Sequence, residues 1–370
     1  MKPYVPEQLP LASLDWKRFR RLVGPSNAAL ARYDGILQAM INPEVLLSPL
    51  MTQEAVLSSR IEGTQATLEE VLEYEASRQP LEQNQDVQEI LNYRSAMRMA
   101  VSSLGKRPIC LDLVKEIHFV LMDSVRGQNK ARGEFRREQN YIGRLGARIE
   151  DASFVPPEPL SVEGHLRNWE QYVHHDDDDV LVQLAIVHAQ FELIHPFLDG
   201  NGRVGRILLP LFMFEKGLLS SPMFYLSEYL EAHRDAYYDR LAAASQARDW
   251  EGWIQFFLTA IIEQAKVNTA KAKAILDLYD AKKQAIAELT RSPRSFEILH
   301  FLFGRPVFES NEFVGELTLP SRTAKRILAK LVDEGFLMVL QEASGRRPAT
   351  LMFRELISIA EGRGISGIGH

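Results

Sequence analysis

The amino-acid sequence predicts a mainly α-helical protein with a short β-hairpin flap and a C-terminal winged helix-turn-helix domain. Over most of residues 26–290, apolar residues recur at the spacing of one helical face. Residues 133–157 break this pattern with three glycines, two prolines and short apolar pairs, which is typical of a loop that carries a hairpin. Beyond Pro293 the pattern indicates three short helices and then two strands, the outline of a winged helix.

The length and composition are those of a soluble globular protein. The chain has 370 residues, enough for more than one domain, with 46% hydrophobic and 25% charged residues. Its formal net charge of −6 argues against a nucleic-acid-binding field over the whole molecule. The charge is uneven, because residues 291–370 hold 11 Lys and Arg against 9 Asp and Glu. The C-terminal region therefore differs in character from the rest.

The chain carries one cysteine, Cys110, in an apolar stretch, which indicates a small core residue and excludes a disulfide within the chain. The sequence does not begin with a basic segment followed by an apolar run. It also has no run of about 18 apolar residues that could span a membrane. We therefore expect a cytoplasmic protein with no membrane partner.

Helical segments are predicted along most of the chain. Residues 1–25 carry four prolines and are predicted to form an extended arm. Residues 26–41 place Leu30, Tyr33 and Leu37 close to the spacing of one helical face. Further helices are predicted over 49–62, 67–77, 86–104, 111–123, 160–169, 180–194, 203–216, 237–245 and 250–289.

The C-terminal region combines the predicted winged helix with a group of cations. Helices are predicted over Phe296–Phe303, Asn311–Leu317 and Ser321–Glu334, and strands over Phe336–Gln341 and Thr350–Phe353. Arg322, Lys325, Arg326 and Lys330 fall along the third of these helices, and Arg346 and Arg347 on the wing. This distribution is compatible with contacts to DNA phosphates, but winged helices also dock proteins, and both interpretations stay open.

The segment His195-Pro-Phe-Leu-Asp-Gly-Asn-Gly-Arg-Val-Gly-Arg206 carries the clearest chemistry. Pro196 disfavours helix at the residue before it, so the preceding helix should end at His195. Two glycines then precede a second helix near Arg203, and backbone N–H groups at such a helix start bind anions. An ordinary turn between two helices is the alternative, and the polar and glycine residues gathered here argue against it.

The side chains of this segment suit a nucleotide. Asp199 can hold a hard cation such as Mg²⁺ beside phosphate oxygens. Arg203 and Arg206 stand three residues apart on one helical face and could both reach a polyphosphate. His195 at the rim is suited to take a proton from an incoming hydroxyl.

At these residues the sequence resembles the Fic family, whose signature is His-Pro-Phe-x-(Asp/Glu)-Gly-Asn-(Gly/Lys)-Arg-x-x-Arg, and every specified position matches. The resemblance implies a Fic-type helical core and transfer of AMP from ATP to a hydroxyl side chain of a target protein. It implies a general base at His195, a metal ligand at Asp199, an α-phosphate site at Gly200, Asn201 and Gly202, a β-phosphate contact at Arg203 and a γ-phosphate contact at Arg206.

Glycine at position 202 favours the AMP-transfer orientation of the nucleotide. Family members with lysine at this position can bind the nucleotide reversed and act as kinases. The resemblance extends to Gly133–Arg136 and to Phe154–Pro157, which resemble the two ends of the family's flap. A target segment can add to the edge of a hairpin through main-chain hydrogen bonds, and Ser153 and Phe154 are the predicted docking residues. This mode does not reveal the target, which could be the protein itself.

An inhibitory element of the family has the pattern (Ser/Thr)-x-x-x-Glu-(Gly/Asn), which Ser58 to Gly63 match. The resemblance implies that Glu62, at the end of a helix over about residues 49–62, pairs with Arg206 and takes the place of the γ-phosphate. Ser58 opens this element. A glutamate exposed on an ordinary helix is the alternative interpretation.

Residues 232–241 resemble the segment that walls the family's adenosine pocket. Tyr238 is the candidate contact to adenine or ribose, and a plain core aromatic is the alternative. Ser245 stands where some relatives carry an asparagine near the base, so base specificity is left open.

These observations predict an N-terminal helical region (1–110), a Fic catalytic core (111–290) and a winged-helix-like domain (291–370). The leading hypothesis is a protein adenylyltransferase, a nucleotidyltransferase that uses ATP and Mg²⁺, modifies Ser, Thr or Tyr hydroxyls and is autoinhibited by Glu62. A transcription regulator with the nucleotide site as a sensor is one alternative. A hydrolase that removes AMP, with Glu62 orienting water, is another. A homodimer is compatible with the sequence.

Overall fold

The structure, a computed structural model, describes residues 2–77, 85–123, 125, 130–143, 151–345 and 347–363. These residues are mainly helical, as predicted, with one small sheet. The helices are α1 (Arg20–Ala39), α2 (Pro43–Leu46), α3 (Ser48–Ile61), α4 (Leu68–Ser77), α5 (Gln85–Leu104), α6 (Leu111–Leu121), α7 (Pro159–Val173), α8 (Val180–Ile194), α9 (Asn201–Glu215), α10 (Ser227–Ala232), α11 (Arg234–Ala247), α12 (Trp250–Thr290), α13 (Ser295–Gly304), α14 (Ser310–Glu316), α15 (Ser321–Asp333) and α16 (Arg354–Ala360). The strands are β1 (Val307–Glu309), β2 (Met338–Gln341) and β3 (Thr350–Met352).

The chain divides into two compact units. The first contains Met1–Gly35, Leu57–Thr64 and Gln88–Lys266, and the second contains Ile36–Val56, Gln65–Val87 and Val267–His370. The predicted domain division at residues 110 and 290 stays a prediction, since compact units need not coincide with independently folding domains. No described helix combines the length and the apolar character that crossing a membrane requires.

Helix α8 forms the centre of the first unit. Every residue from Leu181 to Ile194 is buried, which is the pattern of a helix enclosed by others. Helices α7, α9 and α11 pack against it. The indole of Trp169 donates to the Val187 carbonyl (2.8 Å) and that of Trp253 to the Ala185 carbonyl (2.7 Å). The position of the motif at the C-terminal end of α8 is therefore fixed by packing on several sides.

The N-terminal arm is shorter than the sequence predicts. Residues 2–15 are extended or irregular, and the Tyr4 N–H donates to the Val155 carbonyl (2.8 Å). A short 3₁₀ helix then spans Trp16–Arg18, and α1 begins at Arg20. Pro25 lies inside α1, near its start, where it removes only one backbone hydrogen bond. The extended arm therefore ends before residue 16, and the prediction from its prolines that it reaches residue 25 is wrong.

The second unit contains the predicted C-terminal elements. Helices α13, α14 and α15 and strands β2 and β3 lie close to their predicted bounds, consistent with a winged-helix outline. The sequence analysis missed β1, which pairs with β3 in an antiparallel sheet of order β1-β3-β2. A strand of three residues is too short to show alternation in the sequence. The short helices α2, α10 and α16 were also missed, because each has too few turns to show the helical repeat of apolar residues in the sequence.

The predicted hairpin is described only in part. Ile142 and Phe154 form an antiparallel bridge, in which the Ile142 N–H donates to the Phe154 carbonyl (2.8 Å) and the Phe154 N–H donates to the Ile142 carbonyl (3.1 Å). Residues 144–150, between these positions, lie outside the described residues. The predicted pairing of the two ends of the loop is thus present.

Candidate active site

The motif loop begins where α8 ends at a residue with left-handed backbone geometry. His195 has φ 50° and ψ 61°, and its N–H donates to the Phe191 carbonyl (3.0 Å). A left-handed conformation costs a non-glycine residue about 1–2 kcal/mol, so surrounding contacts must hold it. The predicted helix end at His195 is confirmed.

Helix α9 begins at Asn201, two residues earlier than predicted, because Gly200 supplies the left-handed N-cap (φ 77°). The Asn201 side chain braces the loop internally, donating to the Phe197 carbonyl and accepting from the Phe197 N–H, both at 2.8 Å. The first N–H groups of α9 have no acceptor within their own helix, which is the geometry that binds phosphate oxygens.

Arg206 is only 1% exposed, and its guanidinium faces the predicted inhibitory element. Nη2 lies 2.6 Å from Glu62 Oε1, while Nε donates to the Ser58 hydroxyl (2.8 Å) and Nη2 to the Ser58 carbonyl (2.9 Å). Burial alone would raise the pKa of Glu62, but the charge and the hydrogen bond of Arg206, together with smaller effects of Arg203 and His195, outweigh it and lower that pKa. The structure therefore brings Ser58, Glu62 and Arg206 together, with both charges present at neutral pH.

Glycine at position 202 leaves room for this ion pair. A Cβ atom there would collide with Glu62 Oε1 and would approach Arg206 Nη1 to 2.8 Å. Gly205 is restricted in the same way by the carboxyl group of Glu192. Both glycines thus stand where charged side chains come closest to the α9 backbone.

Arg203 is also paired with a buried carboxylate. Its Nη1 lies 3.1 Å from Glu89 Oε2, which accepts a second hydrogen bond from the Thr64 hydroxyl (3.1 Å). Nη2 lies 3.7 Å from the Asp199 carboxylate. The sequence analysis missed Glu89, because α5 carries no motif and only folding brings it to Arg203.

The His195 imidazole is unprotonated and has a free lone pair on Nε2. Its Nδ1 is 3.2 Å from the Glu192 carbonyl, so Nδ1–H is the donor and Nε2 keeps its lone pair. Burial lowers the pKa of His195 to about 4, against smaller opposite effects from the hydrogen bond to Glu192 and the charge of Glu62. The imidazole is therefore neutral at physiological pH.

Glu192 lies one turn before His195 and was missed by the sequence analysis. It is buried, and burial raises its pKa to about 8, against the lowering effect of Arg206. No sequence motif marks this residue, because an acidic residue on an apolar helix shows its burial only in the folded structure.

Asp199 is held from two sides. Its carboxylate is 3.0 Å from Lys130 Nζ, and its carbonyl accepts from His118 Nε2 (3.1 Å). The His118 ring stacks on Phe197 (3.8 Å between centroids) and accepts at Nδ1 from the Gly133 N–H (2.9 Å). Burial lowers the pKa of His118 to about 4, so this bridge uses the neutral ring. His118 is a further site residue that the sequence analysis missed.

The donor set fits Mg²⁺ bound together with a polyphosphate. No group of three or more His, Cys, Asp or Glu side chains that could hold a metal ion alone occurs among the described residues. Magnesium commonly binds through one or two carboxylates and substrate phosphates, and Asp199 is a partly exposed oxygen donor of that kind. Lys130 would have to leave Asp199 for the ion to bind there.

The remaining predicted residues lie on two surfaces. Ser153 is exposed beside the Ile142–Phe154 bridge, with its N–H and hydroxyl both 2.8 Å from the Ile142 carbonyl. Tyr238 is 41% exposed, which argues against a plain core aromatic, whereas its neighbour Tyr237 is buried. Burial, and then the charge of Glu62, raise the pKa of Tyr238.

The fold and the site together define a helical protein with a short glycine-containing loop between two central helices. Residues 20–102 match the Fic/DOC family N-terminal region and residues 108–213 match the Fic/DOC family, which together make up more than half of the chain. The chain belongs to the Fic/DOC family.

Relatives and solved structures agree with this assignment. The chain is 30% identical over 196 residues to a probable protein adenylyltransferase of Aquifex aeolicus, covering 52% of this chain and 57% of the relative. It is 28% identical over 247 residues to the protein adenylyltransferase Fic of Aedes aegypti, covering 63% and 44%. The chain thus spans about half the length of the curated relatives it matches.

Two solved structures share the fold. A Fic family protein from Desulfovibrio desulfuricans G20 has a TM-score of 0.61 at 20% identity and covers 98% of this chain and 100% of its own. Fic-1 of C. elegans has a TM-score of 0.53 at 20% identity, covering 69% and 72%. The predicted mainly helical fold with a Fic-type core is confirmed.

Proposed function

We propose that this protein is an adenylyltransferase that transfers AMP from ATP to a Ser, Thr or Tyr hydroxyl of a target protein, including itself. The observation that carries the proposal is the neutral His195 imidazole next to the N-terminus of α9 and its two buried arginines. The name protein adenylyltransferase, which curated relatives bear, supports the same reaction.

In the proposed reaction, Nε2 of His195 removes the proton from the target hydroxyl as its oxygen attacks the α-phosphorus of ATP. The bond from that phosphorus to the bridging oxygen breaks, and pyrophosphate leaves. The N–H groups of Gly200, Asn201 and Gly202 bind the α-phosphate, and Arg203 and Arg206 bind the β- and γ-phosphates. Mg²⁺, held by Asp199, would neutralise phosphate charge when bound.

We infer that Glu62 inhibits the reaction by occupying Arg206. A buried arginine that pairs with a carboxylate at 2.6 Å has its strongest donor already engaged. ATP that binds while Glu62 is in place lacks the γ-phosphate contact, so its α-phosphate is not held in line with the hydroxyl. Ser58 strengthens the inhibited arrangement through its two hydrogen bonds to Arg206.

The reaction class can be tested by comparing two radioactive labels. Incubation of Glu62→Gly protein with α-³²P-ATP should label protein, and incubation with γ-³²P-ATP should not, because only the α-phosphate travels with AMP. Label from γ-³²P-ATP would indicate phosphoryl transfer instead. Absence of label from both nucleotides, on folded protein with a target extract added, would contradict the proposed transfer.

A second candidate function, DNA binding by the C-terminal unit, is favoured by the exposed cations of α15. Arg322, Lys325 and Arg326 are all exposed on that helix. Lys330 is exposed as well, and its Nζ donates to the Leu289 carbonyl (3.3 Å). Arg346, the predicted cation on the wing, lies outside the described residues. Binding to DNA would make this unit a regulator or an anchor for the enzyme.

If α15 contacts DNA, affinity for a mixed-sequence duplex should fall steeply with added salt. Arg326→Ala should weaken binding and reduce the slope of log affinity against log salt by about 0.9, the value for one lost phosphate contact. Arg294→Ala is the matched control, because Arg294 is paired with Glu297 on α13. Fluorescence anisotropy that detects no binding at low salt would favour protein docking.

A further inference from the structure

Arg136 is a buried cation that the proposed reaction does not use. It is 2% exposed and lies between Phe135 and the exposed Arg137 at the start of the flap. Among the described residues no ion pair joins it to a carboxylate, although a buried arginine usually has such a partner. Its surroundings therefore need a different explanation.

Within the described part of the chain, every hydrogen bond of the Arg136 guanidinium goes to a backbone carbonyl. Nε donates to His195 (2.9 Å), and Nη2 donates to Pro157 (2.6 Å) and, more weakly, to Ile194 (3.4 Å). Nη1 donates to Glu138 (3.3 Å). The backbone N–H of Arg136 itself donates to the Pro196 carbonyl (2.8 Å).

These acceptors belong to two features of the site. Ile194 ends α8 and His195 caps it, where carbonyls lack partners within the helix and the helix dipole attracts a cation. Pro196 is the next residue of the motif loop. Glu138 and Pro157 lie on the two ends of the flap. The Arg136 guanidinium thus connects the backbone of His195 to both ends of the flap, the loop on which a target would dock.

We propose that Arg136 is a positioning residue that holds His195 in its left-handed conformation and fixes the flap at a set distance from it. This inference rests on the proposed function, in which the flap presents a hydroxyl to the His195 imidazole. Five donors in a rigid fork suit a site with several diverging carbonyls, and lysine cannot reproduce that arrangement.

The charge of Arg136 has a second effect on the base. The charged groups that act on His195 are Glu62 at the end of α3, Asp199 in the motif loop and Arg136 at the start of the flap. From α8, the Glu192 backbone carbonyl accepts a hydrogen bond from the His195 Nδ1–H. Burial is the main cause of the lowered pKa of His195, and Arg136 lowers it further, while Glu62 and Asp199 act in the opposite direction. Removing the cation should therefore raise the pKa of the base.

The test compares Arg136→Lys and Arg136→Gln in the Glu62→Gly protein, with Arg137→Gln as the matched control. Both Arg136 variants should lose about 100-fold in kcat, the size of effect expected when a catalytic group is misplaced by about 1 Å. Affinity for ATP should stay within about threefold, because the nucleotide is held by other residues. Arg137→Gln should transfer AMP at the parent rate.

The pH dependence separates charge from geometry. For Arg136→Gln the acid limb of kcat should move to higher pH, because the base becomes protonated earlier as pH falls. For Arg136→Lys it should stay in place, because the cation is kept. The inference is overturned if Arg136→Lys has the parent kcat or if ATP affinity falls as much as kcat in both variants. An acid limb that is the same for Lys and Gln would exclude the charge effect and leave the geometric role to these two measurements.

An imidazole NMR titration of His195 keeps this inference distinguishable from the proposed function. Arg136→Gln should raise the measured pKa of His195 and Arg136→Lys should not, whether or not AMP is transferred. If the parent protein fails to label while these shifts occur, the proposed reaction is wrong and the contact between Arg136 and His195 stands. If the parent labels and the shifts are absent, the charge effect is wrong, and the positioning role is decided by the kcat of Arg136→Lys.

Discussion

His195→Ala should lower AMP transfer by about 10²–10⁴-fold, the usual contribution of a general base, while ATP still binds. The imidazole acts on the incoming hydroxyl, whereas the nucleotide is held by the α9 N-terminus and the two arginines. Because burial lowers the pKa of His195 to about 4, wild-type transfer should persist well below pH 6.5 before protonation of the base abolishes it.

The measurement is α-³²P-ATP labelling beside calorimetric titration with ATP, both in the Glu62→Gly protein. His165→Ala, a substitution of a half-buried histidine on α7, is the matched control and should transfer at the parent rate. Transfer by His195→Ala within a few-fold of its parent would remove this residue from the mechanism. Loss of ATP binding together with transfer would assign it to the nucleotide site instead.

Glu62→Gly should raise AMP transfer, including self-modification, by roughly 10- to 150-fold. This range corresponds to the loss of a charge-assisted hydrogen bond worth about 1.5–3 kcal/mol. Removing the carboxylate frees Arg206 for the γ-phosphate, so more of the bound ATP adopts the competent pose. Labelling rates for the two proteins at equal ATP concentration give the ratio directly.

Two double variants test the reason for this gain. Glu62→Gly with Arg206→Ala should lose most of it, since the freed guanidinium is absent. Glu62→Gly with His195→Ala should show almost no transfer, because a well-oriented nucleotide cannot replace the base. Ser58→Ala, which removes only one acceptor from Arg206, is the graded control and should activate less than Glu62→Gly.

An unchanged rate in folded Glu62→Gly protein would make Glu62 a plain structural carboxylate. A lower net level of modification has a different meaning, since a hydrolase that used Glu62 to orient water would lose AMP removal. Release of AMP from previously labelled protein, followed with and without Glu62, distinguishes these two outcomes.

Local chemistry made the motif loop predictable from the sequence. Pro196 and Gly200 impose a helix end and a helix start that depend only on neighbouring residues. The contact between Glu62 and Arg206 was reached through a family pattern, since 144 positions separate the two residues. No local rule indicates a pair so far apart.

The partners that were missed share this property. Glu89 meets Arg203 across 114 positions, and His118 meets Asp199 across 81. Arg136 contacts His195 across 59 positions, and the resemblance of Gly133–Arg136 to an end of the family's flap gives its side chain no role. Such residues resemble ordinary charged or aromatic positions on amphipathic helices until the packing of α8 and α9 brings them to the loop.

The glycine at position 202 links the motif loop to the inhibitory glutamate, Glu62, although the two lie far apart in the sequence. Any side chain there would force the end of the Glu62 side chain or the Arg206 guanidinium to shift, so a substitution at 202 acts on the ion pair. In a lineage that acquired a residue such as lysine at 202, the Glu62 carboxylate would have to leave its present position beside Arg206. We therefore expect the residue at position 202, which bears on how the nucleotide binds, and the inhibitory glutamate at position 62 to change together in evolution.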